Sequence, residues 1–133
     1  MLPEARAEAR TWLAMAEEDL GLSLKLVGDN AFPRQASYGA QQAAEKALKA
    51  VLTALNLPFP KTHDLIQLAA LIPTAQTIHA ALADLDLATL TAWAVRGRYP
   101  HTGPAAMAEE AIIATNQATR ILTAVSAWLE TAD

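Results

Sequence analysis

Residues 37–50 read SYGAQQAAEKALKA, and this stretch decides the fold. Small side chains recur along one helical face, which lets a neighbouring helix approach closely; this face consists of Ala36, Ala40, Ala43, Ala47 and Ala54. The other side is polar and consists of Gln35, Gln42, Glu45, Lys46 and Lys49. We therefore predict a central helix that begins near Pro33 and ends at about Leu55.

Two further long helices flank this segment. Apolar residues recur at helical spacing from Pro3 to Val27, and Gly28-Asp29-Asn30 then suits a helix end. After a break at Gly97 to Pro104, one apolar stripe runs from Met107 to Leu129. These patterns predict the first and the last helix.

The intervening sequence predicts shorter helices. Thr62 is the expected N-cap of a helix that ends before Pro73, and residues 74–94 suit one or two more pieces. No segment alternates apolar and polar residues as a strand would. We expect an all-α, antiparallel four-helix up-and-down bundle with additional short helices, formed as a single domain by residues 1–133.

Composition narrows the function classes. The chain has 133 residues, 53% hydrophobic content and no cysteine, which suits one core and excludes disulfides and thiolate chemistry. We expect a cytoplasmic protein without a signal peptide or membrane span, because charges interrupt every apolar stretch. A net charge of −4 argues against a broad nucleic-acid-binding face, so RNA contact would be local and DNA is not an expected partner. No phosphate-binding loop or dinucleotide fingerprint is visible, and no metal or other cofactor is expected.

The segment from Arg96 to His101 holds the most reactive chemistry. It places two guanidinium groups and one imidazole just before a long helix, whose N-terminus favours anions. An imidazole that exchanges protons and an arginine that holds a phosphate suffice in principle for metal-independent RNA cleavage. Taken without context, a solvated loop in which Arg98 caps a carbonyl is the better interpretation.

Asp19 falls inside the apolar arc of the first helix. A buried carboxylate needs a cationic or hydrogen-bonding partner, and we expect Arg96 or Arg98 in that role. The equal alternative places Asp19 at the edge of the arc, in contact with water. For the other two histidines we expect a capping role at His63 and an exposed surface position at His79.

Together these features resemble the HEPN domain, a family named for higher eukaryotes and prokaryotes nucleotide-binding, over nearly the whole chain. The resemblance rests on residues in four places: Trp12, Ala16, Asp19 and Leu20; residues 37–50; Lys61-Thr62-His63-Asp64-Leu65; and Arg98-Tyr99-Pro100. Their order and spacing together are specific.

The resemblance implies a catalytic motif. Many members resemble metal-independent endoribonucleases with an arginine, four to six residues and a histidine, and Arg96 and His101 match that pattern. It implies His101 as acid or base and Arg96 as phosphate stabiliser, in a cleft that two protomers share. Arg98, Tyr99 and Asp19 are then the candidates for binding the RNA or a nucleotide.

The resemblance also implies a partner, because small stand-alone members often act as a toxin beside a minimal nucleotidyltransferase antitoxin. Gly97 and Thr102-Gly103 depart from the family pattern, since active members often carry a polar residue beside the arginine and some carry a modifiable tyrosine after the histidine. Two alternatives therefore stay open: a non-catalytic module that binds a nucleotide or docks onto a nucleotidyltransferase, and a purely structural helical protein.

Self-association has support in the residues themselves. Ile112 and Ile113 lie off the main apolar stripe of the last helix, and the arc of the first helix is broader than one neighbour requires. We expect a two-fold homodimer built around the first and last helices, with the Arg96 to His101 segment near its centre.

Overall fold

The computed structural model describes residues 1–132, and these residues contain no strand. Its six helices are α1 (Pro3–Gly28), α2 (Pro33–Ala54), α3 (Leu65–Ala70), α4 (Thr77–Leu82), α5 (Leu87–Arg96) and α6 (Ala108–Thr131). The predicted all-α fold is confirmed, and the predicted ends of the first two helices are within one residue of the observed ones. No helix in this part of the chain is long and apolar enough to span a membrane.

Side-chain contacts give the directions of the long helices. Along α1 and α2, Ser23 faces Gly39, Asp19 pairs with Lys46, and the Lys49 ammonium lies over the Trp12 ring, so the two helices run antiparallel. Arg6, near the start of α1, donates to the carbonyls of Leu129 and Ala132 at the end of α6. These contacts make α6 antiparallel to α1.

The start of α2 lies beside the end of α5, where Tyr38 contacts Gly97. Together with α1 and α6 this arrangement gives an up-down-up-down bundle of α1, α2, α5 and α6, with α3 and α4 as additions. The start of α2, the end of α5 and the start of α6 therefore share one end of the bundle.

The central position predicted for α2 is confirmed, because it contacts α1, α3, α5 and α6. Its alanines at 36, 40, 43, 44 and 47 are fully buried, and close approach of the neighbouring helices follows from their size. The polar side departs from the expectation. Glu45 is buried, and only 13% of the Lys49 side chain is exposed.

Two local expectations are wrong. The N-cap of α3 is Asp64 rather than Thr62, since the Asp64 carboxylate accepts from the amide of Ile66 at 2.9 Å. Thr62 instead accepts from the amide of Asp64, one step earlier in the turn. Met107 precedes α6 and is exposed rather than part of its buried stripe.

Candidate functional site

The two arginines of the predicted segment point to different helices. We call residues 97–107, which connect α5 to α6, the hinge. Arg96 is the last residue of α5 and turns towards the first turn of α6, whereas Arg98 turns towards α2. The two side chains diverge although only one residue separates them, because α5 ends at Arg96 and the backbone leaves the helix at Gly97.

Arg96 is held on three sides. One guanidinium nitrogen lies 3.1 Å from a carboxylate oxygen of Glu110, another lies 3.4 Å from the carbonyl of Pro104, and the group stacks 4.0 Å above the Trp93 ring. The hydrogen bond from Arg96 is the main cause that holds the pKa of Glu110 below its ordinary value. The Glu110 carboxylate is therefore ionised at neutral pH, and its ion pair with Arg96 fixes the direction of the guanidinium.

Arg98 lies on the surface of the bundle end. It donates to the Tyr38 hydroxyl at 2.8 Å, and its guanidinium lies 5.6 Å from the centre of the Tyr38 ring. A second nitrogen is 3.4 Å from Nε2 of His63. The hydrogen bond to Tyr38 is the main cause that raises the pKa of Arg98, which stays a cation.

His63 is the imidazole that the structure brings to an arginine. Its Nδ1 lies 2.8 Å from Oε1 of Glu45, and its backbone carbonyl accepts from the Gln41 amide at 2.9 Å. Half of its side chain is exposed. The capping role expected for His63 is wrong, because its ring pairs with a buried acid instead of a helix end.

Glu45 is the acid at the base of this cluster. Burial acts to raise its pKa, but hydrogen bonds from His63 and from Lys49, which lies 2.9 Å away, outweigh burial and lower the pKa below its ordinary value. The carboxylate is therefore charged and accepts from Lys49 and His63 together.

His101 lies at the exposed tip of the hinge. Its backbone adopts φ 60°, a left-handed conformation that is uncommon outside glycine and clusters at functional sites. Within residues 1–132 no hydrogen bond joins its ring to Arg96, so one protomer does not assemble the predicted pair. Tyr99 is also exposed.

Asp19 lies at the edge of the apolar arc, since 30% of its side chain is exposed, and it has a cationic partner that differs from the expected one. The ion pair is formed with Lys46 of α2, and the expected pairing with Arg96 or Arg98 is wrong. Lys46 faces α1 across the antiparallel pair, whereas Arg96 turns to Glu110 of α6 and Arg98 turns to the Tyr38 hydroxyl. A role for Asp19 or Tyr99 in nucleotide binding stays a prediction. His79, expected to be exposed, is half-buried.

Four residues of α2 that form or support this cluster were not recognised from the sequence: Tyr38, Gln41, Glu45 and Lys49. Their spacing of three or four residues places them on one face of α2, and that pattern was the available signal. The position of His63 could not be predicted from this pattern, because His63 lies in a loop that runs back along α2.

Comparison with known proteins agrees with this architecture. A model of the HEPN domain family matches residues 9–128. The structure of TT1696 from Thermus thermophilus is 28% identical with a TM-score of 0.75, over 90% of this chain and 97% of that one. A structure described as an archaeal HEPN homologue is 22% identical with a TM-score of 0.68, over 91% and 97% of the two chains, and shows the fold alone. No curated protein matches the sequence. Because the family match spans most of its length, this chain belongs to the HEPN domain family.

Proposed function

We propose that the protein is a metal-independent endoribonuclease that works as a homodimer, with Arg96 and His101 of both protomers in one cleft. The observation that carries this proposal is one end of the bundle, where Arg96 at the end of α5 is oriented by Glu110 and the imidazole of His101 in the hinge is exposed. Four residues separate the two, as in the motif of RNA-cleaving members of the family.

The orientation of Arg96 suits the stabilisation of a phosphate. A guanidinium has five N–H donors, and Glu110 and Pro104 each accept from one terminal nitrogen of Arg96. The remaining donors are free to hold a phosphodiester whose charge grows in the transition state. Glu110 and the Trp93 ring keep the group from rotating away, which lowers the entropy lost on binding.

The reaction needs one proton acceptor and one proton donor. His101 takes the proton from a ribose 2′-hydroxyl, the O2′–phosphorus bond forms, and the bond from phosphorus to O5′ breaks as a proton is delivered to O5′. The products are a 2′,3′-cyclic phosphate and a 5′-hydroxyl end. The two-fold dimer supplies a second imidazole, so that one can accept the proton and the other can donate it.

Exposed apolar residues support the dimer. On α1 these are Met15, Leu22 and Leu24, and on α6 they are Ile112 and Ile113. Burial of such side chains against a second copy is favourable by roughly 25 cal/mol per Å². Both helices end or begin beside the hinge, so a dimer formed there brings the two hinges close to each other.

We further propose that a minimal nucleotidyltransferase is the partner that restrains this activity, with the protein in the role of the toxin. Membership of the HEPN domain family supports this pairing, because small stand-alone members often act beside such a nucleotidyltransferase. Co-purification with the product of an adjacent nucleotidyltransferase gene is the expected result, and a complex that fails to form at micromolar concentration contradicts it.

Product analysis tests the reaction. The purified protein is incubated with a 5′-labelled RNA in excess EDTA, and the ends are examined by treatment with phosphatase and with acid. Fragments that end in a 2′,3′-cyclic phosphate are expected. Fragments with 3′-hydroxyl ends, or cleavage that stops in EDTA, would contradict the mechanism.

The ion pair between Arg96 and Glu110 favours a second function. An arginine already neutralised suits a non-catalytic module that binds a nucleotide or docks onto a nucleotidyltransferase. Calorimetry distinguishes the two: nucleotide binding without any RNA cleavage supports the module, and cleavage with the products given above excludes it.

A further inference from the structure

Arg98 is a surface cation that lacks an acidic partner. Within residues 1–132 the carboxylates that form ion pairs bind Lys25, Lys46, Lys49, His63, Arg96 or Arg120, and none binds Arg98. Its neighbours are instead the phenols of Tyr38 and Tyr99 and the imidazole of His63. Arg98 therefore keeps its full positive charge, whereas Glu110 neutralises Arg96.

Arg98 is nevertheless held in place. The Tyr38 hydroxyl accepts from one of its nitrogens, and the Tyr38 ring lies beneath the guanidinium. Tyr38 can lie there because Gly97 has no side chain: a Cβ on Gly97 would come within 2.5 Å of the Tyr38 Cβ. A charged group held by neutral contacts is preorganised for an anion.

The imidazole of His63 is also held in one orientation, by Glu45. A carboxylate only accepts hydrogen bonds, so the proton between His63 and Glu45 lies on Nδ1, and Nε2 faces Arg98. Gln41 holds the backbone of the same residue. A buried acid that orients a half-exposed imidazole is the arrangement found where histidine binds a ligand or transfers a proton.

Arg98 and Nε2 of His63 face each other without a strong hydrogen bond between them. At 3.4 Å this contact is at the outer limit of a hydrogen bond and is weak. A purely structural network explains the buried pairing of Glu45 with Lys49, but it gives Nε2 of His63 no strong partner and leaves Arg98 with neutral partners alone.

We infer that Arg98 and His63 form a binding site for a phosphate group, separate from the Arg96 and His101 pair. Phosphate oxygens accept from the guanidinium of Arg98 and from the Nε2–H group of His63 in its imidazolium form. The group belongs to a free nucleotide, to an RNA end or to the RNA backbone, which all present the same oxygens. Binding at this site does not depend on RNA cleavage.

Nitrogen-detected NMR of the histidine rings tests the site, because the chain has only three histidines. The full-length protein is titrated with inorganic phosphate, with 5′-AMP and with the dinucleotide ApA. The last two probes distinguish a terminal phosphate from a backbone diester. Arg98→Met removes the charge of an exposed side chain and keeps most of its length, while Arg120→Met, at an exposed arginine of α6 that is paired with Asp84, is the matched control.

The expected result is a saturable shift of the His63 signals with at least one probe. Arg98→Met should raise the dissociation constant about tenfold or more, as loss of a charge-assisted hydrogen bond implies. His63→Gln should weaken binding measured by calorimetry, and Arg120→Met should leave it unchanged. Thermal melting of each variant shows that the fold is intact.

Absence of any saturable His63 shift with all three probes would overturn the inference. Equal binding by Arg98→Met and the parent would do so too, and so would an equal loss in Arg120→Met, which indicates general charge attraction. His101→Ala separates this site from the proposed function: it should abolish cleavage and leave phosphate binding intact.

Discussion

Arg96, the last residue of α5, and Glu110, in the first turn of α6, form an ion pair with 3.1 Å between their charged atoms. The other carboxylate oxygen of Glu110 accepts from the Met107 amide at 3.0 Å and caps α6. One side chain thus starts a helix and orients the candidate catalytic arginine. The direction of Arg96 and the stability of α6 are therefore linked.

Replacement of Glu110 tests this link. Glu110→Ala should lower the free energy of unfolding by about 1 kcal/mol, mostly through the lost cap, because a partly exposed ion pair adds little. Urea denaturation measures the change. Glu109→Ala, which removes an exposed acid in the same turn, is the control and should lower the free energy of unfolding less. Equal losses in the two variants would show that Glu110 acts only through its charge at the helix end.

Gly97 has a packing role. A Cβ at this position would lie 2.5 Å from the Tyr38 Cβ and 2.7 Å from the Trp93 carbonyl, neither of which is a flexible end. Gly97→Ala should therefore destabilise the protein by about 1–3 kcal/mol, as overpacking does. Gly21→Ala is the control. It adds a methyl group where nothing lies within 4 Å and should stabilise α1 by about 0.5–1 kcal/mol. A neutral Gly97→Ala would contradict the close contact.

The acid stability of the protein should depend on Glu45. Its pKa is lower in the folded state than the ordinary value of 4.5. Its contribution is therefore complete above pH 4.5 and is lost as the pH falls through the lower folded value. Glu45→Gln should cost about 1–3 kcal/mol near neutral pH, since Lys49 loses a charged acceptor.

Denaturation from neutral pH into acid measures this effect. The difference between Glu45→Gln and the parent should shrink as the pH falls below 4.5. Glu18→Gln, at an exposed position of α1, should follow the parent at every pH. A difference that stays constant in acid would show that Glu45 is not charged in the folded protein.

The proposed dimer predicts the effect of a charge on α6. Ile112 is 46% exposed in the protomer, and Ile112→Glu should dissociate the dimer because a carboxylate replaces an apolar contact. Light scattering should give twice the mass of the chain for the parent and the single mass for the variant. Ile66→Glu, at a 50% exposed position of α3, should remain dimeric. A parent that is monomeric at micromolar concentration contradicts the dimer.

The helices were predictable because their signals are local. Prolines at the starts of α1 and α2, and apolar residues at helical spacing, lie within each segment. The site was less predictable because its contacts are distant in sequence. His63 meets Glu45 only because residues 55–64 run back along α2, and no periodicity encodes that path.

Gly97 illustrates the same limit. In the sequence it is a departure from the family pattern beside Arg96, which favours the non-catalytic alternative. The structure gives it a steric cause, the approach of Tyr38, that is independent of catalysis. The partner of Asp19 was mistaken for a related reason, because Lys46 faces it only once α1 and α2 are paired.

The central claim is that His101 takes part in RNA cleavage, and a comparison of cleavage rates tests it most directly. Parent, His101→Ala and the control His79→Ala are assayed with one RNA in excess EDTA, each purified by the same route. We expect His101→Ala to lose at least about a hundredfold in rate, as removal of an acid or base does, and His79→Ala to keep the parent rate. Equal cleavage by His101→Ala and the parent would contradict it.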